Sequence, residues 1–174
     1  MSAKLTTHIL IIGGGVAGNA LALFLHKANS HPLSVRKFTF SIYEAYPPSE
    51  KEYLGGGLGL APNGVACLAA LGLLEPLVKH AGLSKASSFW TDSGTLLGRY
   101  NQEDGVDYGM YCLMRSTLYD ILREESNRLG IAINYEKRAI KVVETDDQVF
   151  VDFEDGTSTH GDYLIACDGI HSLR

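Results

Sequence analysis

Hydrophobic and polar positions along the chain fall into runs whose period changes. His8-Ile9-Leu10-Ile11-Ile12 is a short continuous apolar run ending in glycines, the pattern of a strand covered on both faces of a parallel sheet. From Val16 to Lys27 the period lengthens: Ala17, Leu21, Phe24, Leu25 and Ala28 recur at helical spacing, and Asn29 to Pro32 ends the segment. Phe38 to Tyr43 reads as a second strand, closing on Glu44. Strand, helix and strand make a βαβ unit, whose crossover is expected to be right-handed.

Tyr46 to Gly59 reads as loop, with Pro47-Pro48 near its start and Gly55-Gly56-Gly57 near its end. Pro62-Asn63 opens a short helix carrying Val65, Leu68, Ala69 and Leu71, stopped at Gly72, and a further helical piece runs from Glu75-Pro76 to His80. Strand-like pieces follow at 88–91 and 110–113. Ser116 or Thr117 is placed to cap a helix with Leu118, Ile121, Leu122 and Leu129 along one stripe, ended by Gly130. Ile131 to Tyr135 reads as a third strand, and Ala139–Glu144 with Gln148–Phe153 as a hairpin around Asp146-Asp147. Asp155-Gly156 marks a turn before another short strand. Tyr163 to Cys167 is the last strand and is again continuously apolar, which predicts cover on both faces. The sum is α/β: about four buried parallel strands, helices between them, and an antiparallel meander inserted before the last strand.

One domain fits 174 residues. A hydrophobic content of 45% is enough for a real core. The net charge of −5 argues against nucleic acid or an anionic membrane as a partner. It leaves anionic ligands open, because helix N-terminal amides bind phosphate without side-chain charge. Cys67, Cys112 and Cys167 form no CxxC pair and read as reduced thiols of an intracellular, cytoplasmic protein. The six histidines show no metal-ligand spacing, so no metal is expected. Ile9 to Leu25 carries no charge, but glycines interrupt it and no basic segment leads into it, so no membrane span is predicted.

Gly13-Gly14-Gly15-Val16-Ala17-Gly18 fits GxGxxG and stands between an apolar strand and a helix. In that context Gly13 permits the tight turn, Gly15 lets the backbone approach a pyrophosphate, and Gly18 lets the helix pack on the strand. Glu44, 26 positions beyond Gly18, is the matching acid for the ribose hydroxyls. No arginine stands near it along the chain, which suits the free 2′-hydroxyl of FAD or NAD more than the 2′-phosphate of NADP.

Three later stretches follow in order: "GGGLGLAPNGVACLAALGL" at 55–73, "LMRSTLYDIL" at 113–122 and "GDYLIACDGIHSLR" at 161–174. Together with the glycine loop they resemble the flavin-dependent aromatic hydroxylases, the p-hydroxybenzoate hydroxylase-like group A monooxygenases, from about His8 to Arg174. The resemblance implies a Rossmann-like, glutathione-reductase-type FAD-binding domain over 1–174, with FAD as cofactor and NAD(P)H as reductant. The implied reaction is hydroxylation or epoxidation of a small organic substrate. Carried over residue by residue, Gly13, Gly14, Gly15, Val16, Ala17, Gly18, Glu44 and Ala45 bind the ADP half. Gly56 and Gly57 lie near the ribityl and isoalloxazine, and Arg115 contacts FAD, a guanidinium being suited to fork onto phosphate oxygens. Asp168-Gly169 matches the second fingerprint, associated with FAD and the pyridine nucleotide.

Two positions depart from the family pattern: Lys51 and Glu52 stand where an arginine is frequent, and Cys167 where alanine is usual. No Ser/His/Asp order and no carboxylate pair singles out a catalytic residue, and flavin chemistry requires none. The family's C-terminal half, which supplies a Gly-Asp motif and most of the substrate-binding sheet, is missing from this sequence. The domain is therefore expected to be incomplete and not to turn over alone. Its remainder is expected either in a continuation of the reading frame or in a second chain, and an exposed apolar face is expected to invite self-association. Two other readings stay open: a non-catalytic dinucleotide-binding module, and an NAD-dependent reductase.

Overall fold

The computed structural model describes residues 6–48, 55–101 and 108–172. In chain order the elements are β1 (Thr6–Ile12), α1 (Val16–Ser30), β2 (Lys37–Tyr43), β3 (Gly57–Leu60), α2 (Pro62–Ala70), α3 (Leu74–His80), β4 (Gly82–Ser84), β5 (Ala86–Trp90) and β6 (Leu96–Asn101). They continue with β7 (Met110–Met114), α4 (Arg115–Arg128), β8 (Ile133–Asn134), β9 (Ala139–Glu144), β10 (Val149–Phe153), β11 (Ser158–Gly161) and β12 (Tyr163–Ala166). The chain divides into two compact units, Met1–Tyr53 with Leu122–Arg174, and Leu54–Ile121.

The first unit is built on a parallel sheet ordered β12-β1-β2-β8. Its centre is β1, in register with β12 from Ile9↔Tyr163 to Ile12↔Ala166 and with β2 from Thr6↔Lys37 to Ile12↔Tyr43. Because side chains alternate along a strand, Leu10 and Ile12 face one side of β1, and Ile9 and Ile11 the other. Leu10 and Ile12 pack with Val149, Val151 and Phe153 of the meander β9-β10-β11. Gly161 permits this approach, since a Cβ there would lie 2.9 Å from Leu10 Cγ. On the opposite side Ile11 Cγ2 meets the start of α1 at Gly18. The continuous apolar run of β1 is thus explained by cover on both faces, each buried aliphatic side chain contributing roughly 1.5–3 kcal/mol.

Two first-unit expectations are corrected. The buried face of α1 is Gly18, Asn19, Ala22 and Leu23, whereas Ala17 is exposed and Leu21, Phe24, Leu25 and Ala28 are only half-buried. The helix is apolar nearly all round, so periodicity could not settle its phase. The apolar run of β12 is covered on one face only. Leu164 packs toward the meander, while Tyr163 is 64% and Ile165 37% exposed.

The second unit holds the antiparallel sheet β3-β7-β4 and the ribbon β5-β6. Its core includes Val65, Leu68, Leu73, Leu77, Leu113 and Leu118. Gly57 to Gly59, expected as loop, belongs to the strand Gly57–Leu60, paired with Met114 to Tyr111. The fourth helix starts at Arg115, so Ser116 and Thr117 lie inside it and do not cap it. Large apolar side chains are exposed on the ribbon, Phe89 and Trp90 at about 60% and Leu97 at 69%. Among the described residues no helix is long and apolar enough to cross a membrane.

Candidate dinucleotide site

The glycine loop stands at the carboxyl end of β1, between β2 on one side and β12 on the other. The strand order reverses there, which makes this the position where open α/β sheets take ligands. Each glycine meets a different surrounding. Gly13 has φ +106°, and a Cβ on it would lie 2.4 Å from the Cys167 carbonyl oxygen. Gly18 is tighter still, its Cβ position only 1.9 Å from the Gly13 oxygen. Gly15 has nothing within 4 Å of where its Cβ would be, so the backbone is open on that side. Gly13 and Gly18 are therefore glycines for packing and Gly15 is a glycine for access.

Glu44 reaches back from the end of β2 into this loop. Its Oε2 accepts the Gly14 N–H at 2.7 Å and its Oε1 accepts the Tyr46 N–H at 3.1 Å. The Gly13 amide donates to the Tyr43 carbonyl at 2.7 Å. With the amides of Gly13 and Gly14 so engaged, Gly15 and Val16 are the next donors toward the open side. No side chain caps α1 and its first turn carries no acid, so an anion meets helix amides and a favourable dipole there.

Sequence reasoning missed two neighbours. Asn19 is fully buried, and its Nδ2 donates to the carbonyls of Gly14 at 2.6 Å and Gly15 at 2.9 Å. Its Oδ1 accepts the Ser126 hydroxyl at 3.1 Å. A polar residue inside an apolar helix next to a glycine loop was the available signal. The second neighbour is Arg138, whose guanidinium lies 4.9 Å over the Tyr46 ring and pairs with Glu154 at 3.5 Å. No arginine is near Glu44 along the chain, but the fold brings Arg138 onto Tyr46, two positions beyond it.

The Asp168-Gly169 motif joins the same place. Cys167 N–H donates to the Ile12 carbonyl at 2.6 Å, which sets the Cys167–Asp168 peptide against Gly13. Gly169 has φ +76° and begins a one-turn 3-10 helix, Gly169–His171. Asp168 Oδ1 is buried without a hydrogen-bond partner. A carboxylate oxygen in that condition is costly, and a hydroxyl or water carried by a bound ligand would satisfy it. Burial, with the negative charge of Asp168 beside it, pushes the Cys167 thiol above its ordinary pKa.

Gly13 to Gly18, Glu44 with the adjoining Ala45, and Asp168-Gly169 thus share the first unit. Gly56, Gly57 and Arg115 come together in the second. Arg115 N–H donates to the Gly56 carbonyl at 2.9 Å, and Gly57 pairs with Met114. Gly56 has φ +105°, and neither it nor Gly57 has anything within 4 Å of its Cβ position. Arg115 itself is exposed. Lys51 and Glu52 lie outside the described residues.

Comparison with known proteins matches residues 6–174 to the family model described as FAD binding domain. YetM of Bacillus subtilis (strain 168), whose name proposes an FAD-dependent monooxygenase, is 32% identical over 95% of this chain and 43% of its own length. The FAD-dependent urate hydroxylase of Klebsiella oxytoca is 30% identical over 94% of this chain and 40% of its own. The 3-amino-4-hydroxybenzoate 2-monooxygenase of Streptomyces cremeus is also 30% identical, over 95% and 40%. This chain therefore spans about two fifths of the length of these curated relatives. Among solved structures, Klebsiella pneumoniae HpxO complexed with FAD and uric acid superposes with a TM-score of 0.72 at 24% identity, covering 94% of this chain and 39% of that one. The p-nitrophenol 4-monooxygenase PnpA from Pseudomonas putida DLL-E4 gives 0.74 at 20%, covering 97% and 42%. At these identities the structures speak for the fold alone.

Proposed function

The chain belongs to the FAD binding domain family, and on that premise we propose that it is the FAD-binding part of an NAD(P)H-dependent flavin monooxygenase acting on a small organic substrate. The observation that carries this reading is the convergence of three features at one sheet end. They are the open backbone at Gly15, the carboxylate of Glu44 held by the Gly14 amide, and the buried, unpartnered Oδ1 of Asp168.

In this reading the amides of Gly15, Val16 and Ala17 bind the pyrophosphate of FAD, and Glu44 accepts the ribose hydroxyls. Ala45 follows Glu44 at the adenosine end. Asp168 and Gly169 hold polar groups of the cofactor beside Gly13. Gly56 and Gly57 offer backbone without side-chain obstruction to the flavin end, and Arg115 supplies a phosphate-binding guanidinium. When bound, the flavin supplies the redox and oxygen-transfer chemistry, so the protein's part is binding, orientation and exclusion of water. The relatives named for urate and for an aminohydroxybenzoate are enzymes of small, polar aromatic molecules, which is the substrate class proposed.

Titration of the purified chain with FAD tests the reading. Binding is expected to shift the flavin absorption band near 450 nm and to be reversed by ADP. Preference for NAD over FAD, or no flavin binding, overturns it. NADPH consumption that rises on adding FAD and an aromatic acid supports the oxygenase assignment, and consumption indifferent to both removes independent turnover by this chain.

A further inference from the structure

We propose that Asn19 and Ser126 form a buried strut that sets the direction of the phosphate-facing amides, making Asn19 a positioning residue for the dinucleotide. The inference rests on the FAD reading for the identity of the ligand, and on the fold alone for the strut.

Asn19 and Ser126 are both completely buried. A buried carboxamide destabilises a core unless its donors and acceptor are all satisfied. Here they are. Both Nδ2 hydrogens go to consecutive loop carbonyls, Gly14 at 2.6 Å and Gly15 at 2.9 Å, and Oδ1 takes the Ser126 hydroxyl at 3.1 Å. The two carbonyls can only accept, so they fix the NH2 group toward the loop, and the Ser126 hydroxyl then donates to the oxygen left on the other side.

Peptide planarity converts this into an orientation. In a trans peptide the C=O and N–H point in opposite directions. Holding the Gly14 oxygen against Asn19 turns the Gly15 N–H away from the core. Holding the Gly15 oxygen does the same for the Val16 N–H. These two amides are the ones left facing the open side, since Gly13 donates to Tyr43 and Gly14 to Glu44. The Gly15 oxygen also accepts the Asn19 backbone N–H at 3.1 Å, the first hydrogen bond of the helix, so the strut's own share falls on the Gly14–Gly15 peptide, which two glycines would otherwise leave freer to rotate. The strut removes that freedom before any ligand arrives, which lowers the ordering cost of binding.

The test uses the full chain with Ser126→Ala and Asn19→Leu, each checked for folding by thermal melting. ADP and adenosine are titrated separately, and amide relaxation of Gly15 and Val16 is measured without ligand. The expected result is an ADP affinity lowered about tenfold, as for one lost hydrogen bond, with adenosine affinity unchanged and the Gly15 amide more mobile. Should Asn19→Leu not fold, Ser126→Ala decides. Folded variants with parental ADP affinity and parental amide relaxation overturn the strut. Equal losses for ADP and adenosine also overturn it, since that is general damage. A parent chain binding neither ADP nor FAD refutes the FAD reading instead, and the relaxation of the Gly15 amide then decides the strut alone.

Discussion

Glu44 and Gly14 stand 30 positions apart in sequence, yet Oε2 of the carboxylate lies 2.7 Å from the glycine amide. The bond ties the end of β2 to the loop after β1, and with the Tyr46 amide on Oε1 it fixes the carboxylate plane. Glu44→Gln loses the charge and must turn an NH2 group toward one of the two amides. FAD affinity is expected to fall by ten- to a hundredfold, and stability by about 1–2 kcal/mol. Flavin titration and urea unfolding measure the two separately.

Gly15 and Gly18 give opposite results on substitution. Gly18→Ala forces a methyl group onto a backbone oxygen 1.9 Å away, and the loop or helix must shift. A loss of about 3 kcal/mol is expected, the upper end for overpacking, seen as a lowered melting temperature. Gly15→Ala meets open space at a φ of −73°, which alanine adopts freely. It should melt like the parent and bind FAD worse, because the added methyl occupies the side where the pyrophosphate approaches.

Much of this was legible in the sequence because it is local. The run His8–Ile12, the glycines at 13, 15 and 18, and Glu44 closing a strand are signals within one βαβ unit. The meander was equally readable, since Val149, Val151 and Phe153 alternate and all three are buried. What escaped depends on distant partners. Gly57–Leu60 is glycine-rich and becomes a strand only through Met110–Met114. Arg138 reaches Tyr46 through the sheet, not along the chain. The buried face of α1 includes Asn19, a polar residue whose side-chain partners are two carbonyls and a serine 107 positions away.

Among the three cysteines, Cys167 should be the slowest to alkylate. Cys67 and Cys112 are exposed, while burial and the neighbouring Asp168 raise the Cys167 pKa and so deplete its thiolate at neutral pH. Timed iodoacetamide labelling with peptide mapping is expected to show Cys67 and Cys112 modified first. Asp168→Asn should speed Cys167. Equal rates at all three sites would remove the electrostatic argument.

Asp155 offers a pH-dependent contribution to stability. Hydrogen bonds from Lys137 and Thr157 hold its carboxyl down to about 2, below the ordinary 3.8. A depressed folded-state pKa means the stabilisation is fully present above the unfolded value and is lost as pH falls from there toward 2. Asp155 is exposed, so the effect is small. Asp155→Asn should lower stability slightly at neutral pH and flatten its dependence between those two values, read by denaturant unfolding across that range.

The parallel sheet is unequal at its two borders. At one, β8 pairs with β2 over only Ile42↔Ile133 and Tyr43↔Asn134. At the other, β12 presents a four-residue strand with Tyr163 and Ile165 bare on one face. A border two residues long offers almost no hydrogen-bond ladder to an incoming strand, whereas four residues with apolar side chains offer a template. The two borders therefore differ in what they present: β12 carries the longer ladder and an uncovered apolar face, and β8 hardly any ladder.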